Sequence, residues 1–129
     1  QTLFFENAFN RYSFKKLYAM NTLRNRVQLI GNVGNDPEIK TLENGRKLAN
    51  LTIATNEKYI NDKGEKIEQT EWHRVTAWGK TAEIIEKYVT KGREIGIEGK
   101  LTHRSYDDKN GEKRYVTEVV VNEVLLLGK

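Results

Sequence analysis

The sequence predicts a small all-β fold, five strands closed into a barrel with one α-helix between strands 3 and 4, and three features predict it. From residue 21 onward, short runs of alternating apolar and polar side chains recur between Gly and Asn turn signals. One segment with helical rather than alternating period interrupts those runs near residues 81–89. The chain has 129 residues, one Pro and no Pro-rich linker or internal repeat, which leaves room for a single domain.

The elements follow in order. Val27–Ile30 starts the first strand, which breaks at Gly31 and Gly34, bends through Asp36-Pro37 and resumes at Ile39–Leu42. Asn44-Gly45 closes a hairpin into the second strand, Lys47–Asn56. The third strand runs over Glu68–Trp78, the fourth over Glu94–Arg104 and the fifth over Tyr115–Leu127, with Asn110-Gly111 turning the chain into the last. In the helix, Thr81 suits the N-cap, Ala82, Ile85, Tyr88 and Val89 form the apolar face, and Gly92 suits a left-handed end. A lone helix in that place plugs one end of the barrel, which is the plan of an oligonucleotide/oligosaccharide-binding (OB) barrel. Residues 21–129 read as this domain. Residues 1–20 stand apart, with Leu3, Phe4, Phe5, Phe9, Tyr12, Phe14, Leu17 and Tyr18 crowded ahead of the single Met, Met20. Three readings of that stretch stay open: sequence upstream of a start at Met20, a targeting peptide, or a helical arm with Phe5, Phe9 and Tyr12 on one face.

Composition narrows the chemistry. With no Cys, disulfides, thiol nucleophiles and iron–sulfur sites are excluded, and two His, His73 and His103, are too few for the usual transition-metal ligand sets. No metal, cofactor or membrane partner is expected; the apolar runs Val119–Val121 and Val124–Leu127 fall far short of the roughly 20 residues of a spanning helix. The net charge of +4 favours a polyanionic partner, but half of it lies in residues 1–20, where Arg11, Lys15 and Lys16 face only Glu6. The remainder holds 19 basic residues (22 less 3) against 17 acidic (18 less 1), so any anion must be bound by arrangement rather than by bulk charge.

The third strand carries the most information. Alternation puts Thr70, Trp72, Arg74, Thr76 and Trp78 on one face and Glu71, His73, Val75 and Ala77 on the other, with Val75 and Ala77 lining the barrel. The Trp residues then point outward, with Arg74 between them: flat surfaces for unpaired bases beside a contact for phosphate. Paired Trp residues are also common in cores and interfaces, and that reading stays open at this point. Tyr59 and Tyr106 each precede a charged segment, 61–66 and 107–113, that reads as a mobile hairpin tip. Lys58, Lys80, Lys91, Arg93, Lys100, Arg104, Lys113 and Arg114 extend a basic track, and Lys91 and Arg93 serve equally as partners of a helix C-terminus. His73 has no nucleophile or metal-ligand partner in a recognisable motif and reads as structural or interfacial. Gly31-Asn32-Val33-Gly34 lacks the Gly-Lys-Ser/Thr ending of a nucleotide-binding loop. No enzyme is expected.

Gly31–Glu38, Thr70-Glu71-Trp72-His73-Arg74-Val75, Gly79-Lys80, Lys91-Gly92, Ile97-Glu98-Gly99-Lys100-Leu101 and Thr117–Val121 occur in that order. Together they resemble the bacterial-type single-stranded DNA-binding protein family, also found in mitochondria and plastids, over about residues 22–127. The resemblance implies an OB barrel that pairs into a dimer through its first strand, with Val27 and Leu29, and assembles as a dimer of dimers, a homotetramer around which single-stranded DNA wraps during replication, recombination and repair. It implies base stacking at Tyr59, Trp72, Trp78 and Tyr106, and phosphate contacts at Arg74, Lys80, Lys91 and Arg104; Lys100, which shares its strand's basic face with Arg104, is read as a further phosphate contact. It puts His73 and Gly96 at subunit interfaces, Gly96 standing where many members carry a larger residue. Members usually continue through a Gly- and Pro-rich linker to an acidic tip that recruits other proteins; the chain ends at Leu127-Gly128-Lys129, so that recruitment is not expected of it. A bacterial, nucleoid-associated setting is expected, with mitochondrion or plastid as the alternative. Rival readings are a primosomal-type OB accessory protein and an RNA-binding OB module.

Overall fold

A computed structural model describes residues 23–128. The chain forms β1 (Val27–Val33), β2 (Glu38–Thr41), β3 (Lys47–Ile60), β4 (Lys66–Trp78), the helix α1 (Gly79–Tyr88), β5 (Glu94–Asp107) and β6 (Lys113–Leu126). The strands join in the order β1-β5-β6-β4-β3-β2, and a further β1–β3 pairing closes the sheet into a barrel. All neighbours are antiparallel except β4 and β6, which meet in parallel at Val75 with Val119 and Thr76 with Val120.

The all-β barrel with one helix agrees with expectation, but the first strand does not survive as one element. β1 reaches β3 through Asn32 with Ala54 and Val33 with Ile53. The chain then turns away at Gly34, whose N–H donates to the Thr52 carbonyl, before β2 pairs with β3 from Glu38 with Asn50 onward. The helix therefore follows the fourth of six strands rather than the third of five. The expected 1–20 segment lies outside the described residues.

Alternation decides the core. Ala49, Leu51 and Ile53 of β3, Val75 and Ala77 of β4, Ile95 and Ile97 of β5, and Val119 and Val121 of β6 are buried, and Ala82, Ile85 and Val89 of the helix segment close one end. Those three recur at helical spacing within one narrow stripe, whereas Tyr88 lies about a quarter-turn off it and is exposed, so it does not belong to the packed face. Nor does Thr81 cap the helix. The chain pivots from strand to helix at Gly79, in the left-handed region at φ 60°, so the helix starts earlier, with Trp78 at the N-cap and no side-chain cap. Gly92 does take positive φ, at 89°, but within the turn from Thr90 to Arg93, beyond the helix end.

The long hairpins overrun the barrel. β3, β5 and β6 are each 14 residues and β4 is 13, longer than the expected spans. The charged segments before and after Gly64 and Gly111 are not open loops. Each tip is a tight turn in which Asn61 or Asp108 bonds the backbone four residues on, and a left-handed Gly completes it, the same turn that Asn44-Gly45 makes. Asn61 and Asp108 side chains accept further backbone N–H bonds from 2.9 to 3.0 Å.

Where β5 crosses β6 the register slips by one residue at Glu98/Gly99, and the two backbones come close enough that a Cβ at Gly99 would stand 2.1 Å from the Val120 carbonyl oxygen. Gly99→Ala is expected to destabilise the fold by about 1–3 kcal/mol, as forced overpacking against rigid backbone does, read as a lower urea midpoint with unchanged slope.

Candidate nucleic-acid interface

The site arises where the hairpins separate. The β3–β4 and β5–β6 ribbons pair directly with each other only at the parallel contact, β1 bridging them on the other side; before Val75 on β4 and before Val119 on β6 they share no pairing. The gap between them is a cleft of about 400 Å³, with Trp72, His73 and Arg74 on one wall and Tyr106 and residues 115–118 on the other. A second depression, about 350 Å³, continues past Arg74, Arg104 and Glu118 to Asn35 and Glu38. The two share Arg74 and Glu118 and so form one groove across the barrel face.

Trp72 is 64% exposed despite its size. The six-membered part of its indole lies against Gly34: a Cβ there would stand 2.4 Å from Cζ3 and 2.7 Å from Thr52 Oγ1. Asn35 fixes that corner, its Oδ1 accepting from the Thr52 N–H at 3.0 Å and from the Thr52 hydroxyl at 2.7 Å. Gly34 thus matters not as a phosphate loop but as the seat of an exposed ring.

The groove floor is a hydrogen-bonded set around Thr76, which is only 7% exposed although it faces outward from β4. Its hydroxyl lies 3.1 Å from Glu118 Oε2 and 3.2 Å from the Asn50 side-chain amide. Both partners are acceptors, so Glu118 Oε2 and Asn50 Oδ1 share the one hydroxyl proton of Thr76. The other Glu118 oxygen accepts from Arg104 Nε at 2.8 Å, and the Arg104 guanidinium lies 5.9 Å from the Tyr106 ring centroid. Arg104 is therefore an anchored, charge-balanced plate. Arg74, opposite Thr52 on β3, makes no ion pair among the described residues.

The remaining predicted residues are not all brought to this groove. Thirteen-residue register without a slip puts Tyr59, opposite Ile67, on the other face of the β3–β4 ribbon from Trp72, opposite Ala54. It is exposed in its own depression with Lys58 and Lys66 near the hairpin tip. Trp78 shares the Trp72 face but lies six residues along, about 20 Å away, and the Arg46 guanidinium stands 4.9 Å from its ring centroid. Lys80 is exposed on the first helical turn, Lys91 follows the helix with its N–H bonded to Asp36, and Lys100 is exposed on β5 opposite Val120. Val27 and Leu29 pack half-buried against the core, while Gly96 is buried on the outer face beside Ile30 and Leu125, both exposed. His73 Nε2 is 2.9 Å from Thr55 Oγ1 at the cleft wall. At the β5–β6 tip, a side-chain hydrogen bond from Arg114, with backbone N–H bonds from Glu112 and Asn110, holds the Asp108 carboxyl below its ordinary range.

Sequence reading missed Tyr115, Glu118 and Thr76. Tyr115 sits at the start of an apolar strand and has the parity of the barrel interior, so only the splay of the ribbons exposes it. Glu118 and Thr76 looked like ordinary solvent-facing positions of β-strands; their burial depends on β4 and β6 meeting.

Fold and site together define a class: a closed β-barrel whose face carries open aromatic rings and cations along a groove. Residues 24–127 match the model of the Single-strand binding protein family, and the chain belongs to that family. It is 48% identical over 105 residues to Single-stranded DNA-binding protein 1 of Chlorobaculum tepidum, an alignment covering 81% of this chain and 65% of that protein. The chain thus spans just under two-thirds of that relative's length. A solved structure titled "Plasmodium falciparum SSB complex with ssDNA" is similar at a TM-score of 0.76 and 32% identity, over 81% of this chain and 95% of that one.

Gly34→Ala is expected to push the Trp72 indole off its seat while the backbone holds. In a Trp78→Phe background, where Trp72 is the only emitter, the emission maximum should move to longer wavelength with little change in the unfolding midpoint; an unchanged spectrum would show that the ring does not rest there.

Proposed function

We propose that the chain is a non-catalytic, sequence-independent binder of single-stranded DNA, protecting and wrapping it during replication, recombination and repair. The observation that carries this is the groove itself: Trp72 and Tyr106 open to solvent on separate ribbons, with Arg74 and the Arg104–Glu118 pair between them. Membership of the family and likeness to a structure named as a complex with single-stranded DNA support it. The topology is that of the OB barrel, and the 48% identity to a bacterial relative supports a bacterial, nucleoid-associated setting.

The chemistry needs no bond-making. An unpaired base offers a π face whatever its identity, and stacking on an aromatic ring is worth about 1–3 kcal/mol per base. Trp72, held on one side by Gly34, presents the rest of its ring to the cleft, and Tyr106, backed by Arg104, presents another. Tyr59 at the hairpin tip and Trp78 near the helix extend the path beyond the groove, with Lys80, Lys91 and Lys100 as further phosphate contacts. Because Glu118 balances Arg104, Arg74 is the cation in the groove that is free to release counterions.

Oligo-dT titration at low salt, followed by tryptophan quenching, tests the reading. Binding with quenching supports it, and absence of both overturns it. Trp72→Ala should weaken binding about tenfold without unfolding the chain. The slope of log affinity against log salt should fall by about 0.7 for Arg74→Ala, the loss of one phosphate contact, and by less for Arg104→Ala.

The family reading also implies a dimer of dimers. Exposed Ile30 and Leu125 around the notch at Gly96 form an apolar outer patch suited to a second copy, and β1 offers an edge beyond its pairing with β5. A solution mass of four chains supports this assembly; a monomeric mass at micromolar concentration rejects it.

A further inference from the structure

Resting on the single-stranded DNA reading, we infer that Tyr115 is a further base-stacking residue, an exposed ring on the β6 wall of the cleft that Trp72 and Tyr106 also line. Tyr115 is 78% exposed, the most exposed of the large hydrophobic and aromatic side chains among the described residues. Alternation along β6 gives it the parity of Val119 and Val121, which are buried in the barrel, and of Thr117, which is exposed. The inward face of the strand therefore stops being interior between Val119 and Thr117, where β4 and β6 part. An aromatic ring left on that face has lost the core that its parity would give it.

Nothing on its own ribbon replaces that core. The residue opposite on β5 is Ser105, too small to cover a ring, and the next inward pair is His103 with Thr117, joined by a 2.8 Å hydrogen bond between Nδ1 and Oγ1. What the ring does share is the cleft, with Trp72 and Tyr106. The heights match. Trp72 lies three residues before Val75 and Tyr115 four before Val119, so at about 3.3 Å per residue both stand about 10–13 Å from the contact that joins the two walls, Trp72 with the outward parity of Thr76 and Tyr115 with the inward parity of Val119. Tyr115 thus adds a ring on the inward-parity side of the cleft, beside His73, Leu101 and Thr117, while the charged groups of its lining, Arg74 and Glu118, have the outward parity. The chemistry selects a base rather than a phosphate for that position.

The test compares wild type, Tyr115→Phe and Tyr115→Ala on two probes, oligo-dT and an abasic sugar–phosphate oligomer of equal length. Stacking predicts that Tyr115→Ala loses about tenfold in affinity for oligo-dT, keeps its affinity for the abasic strand, and that Tyr115→Phe behaves as wild type on both. Equal affinity of Tyr115→Ala and wild type for oligo-dT overturns the inference, as does an equal loss on both probes, which marks a structural role for the ring. Failure of the wild type to bind oligo-dT is a different result: it overturns the proposed function and this inference with it.

Discussion

Two residue pairs, Val75 with Val119 and Thr76 with Val120, join the two long ribbons of this protein. Parallel pairing between strands so far apart in sequence forms only when the rest of the chain has wound round to bring them together. On the inner side the contact buries Val75 and Val119 in the core; on the outer side it buries Thr76 against Glu118. Its shortness matters as much as its presence. Had the pairing run the length of β4 and β6, there would be no cleft, and Trp72 and Tyr115 would lie on a continuous sheet rather than on separate walls of one cleft.

That contact also sets the electrostatics. Among the described residues one ion pair lies in the groove, Arg104 with Glu118, while Arg114 with Asp108 and Glu112 sits at the β5–β6 tip and Arg26 with Glu98 lies apart from the groove lining. These pairs are mostly exposed and add little to stability. The consequence of the Arg104–Glu118 pair is to make the groove less basic than its Arg residues imply, in keeping with a net charge of only +2 outside residues 1–20. A surface so balanced discriminates by shape and ring chemistry. A double helix hides its base faces, whereas an unpaired base offers one to any exposed ring.

Much of the fold is legible in the sequence because strand alternation and turn chemistry are local. Val75 and Ala77 point inward and Trp72 and Arg74 outward wherever β4 ends up, and Asn44-Gly45 and Asn110-Gly111 turn the chain whatever they connect. The misreadings have one cause. Thr81 as a cap, Tyr88 as core, the two pieces of a broken first strand counted as one, and shorter hairpin strands are each plausible locally, and each was decided by a neighbour: the pivot at Gly79, the narrow stripe admitted by the barrel end, the reach of β1 to β3, and cross-strand pairing that carried the ribbons to their tips.

The site divides along the same line. By itself the sequence determined which residue types are available, rings at 59, 72, 78 and 106 with basic side chains among them, and through its ordered motifs the family. Tertiary structure alone decided which of them meet. It set Trp72 on Gly34, moved Tyr59 to the other face of its ribbon, covered Trp78 with Arg46 and neutralised Arg104 with Glu118. It also exposed Tyr115, whose alternation assigns it to the interior. The physical reason is that a strand's periodicity fixes only the side toward which a residue points, while what lies on that side depends on where two distant strands stop pairing.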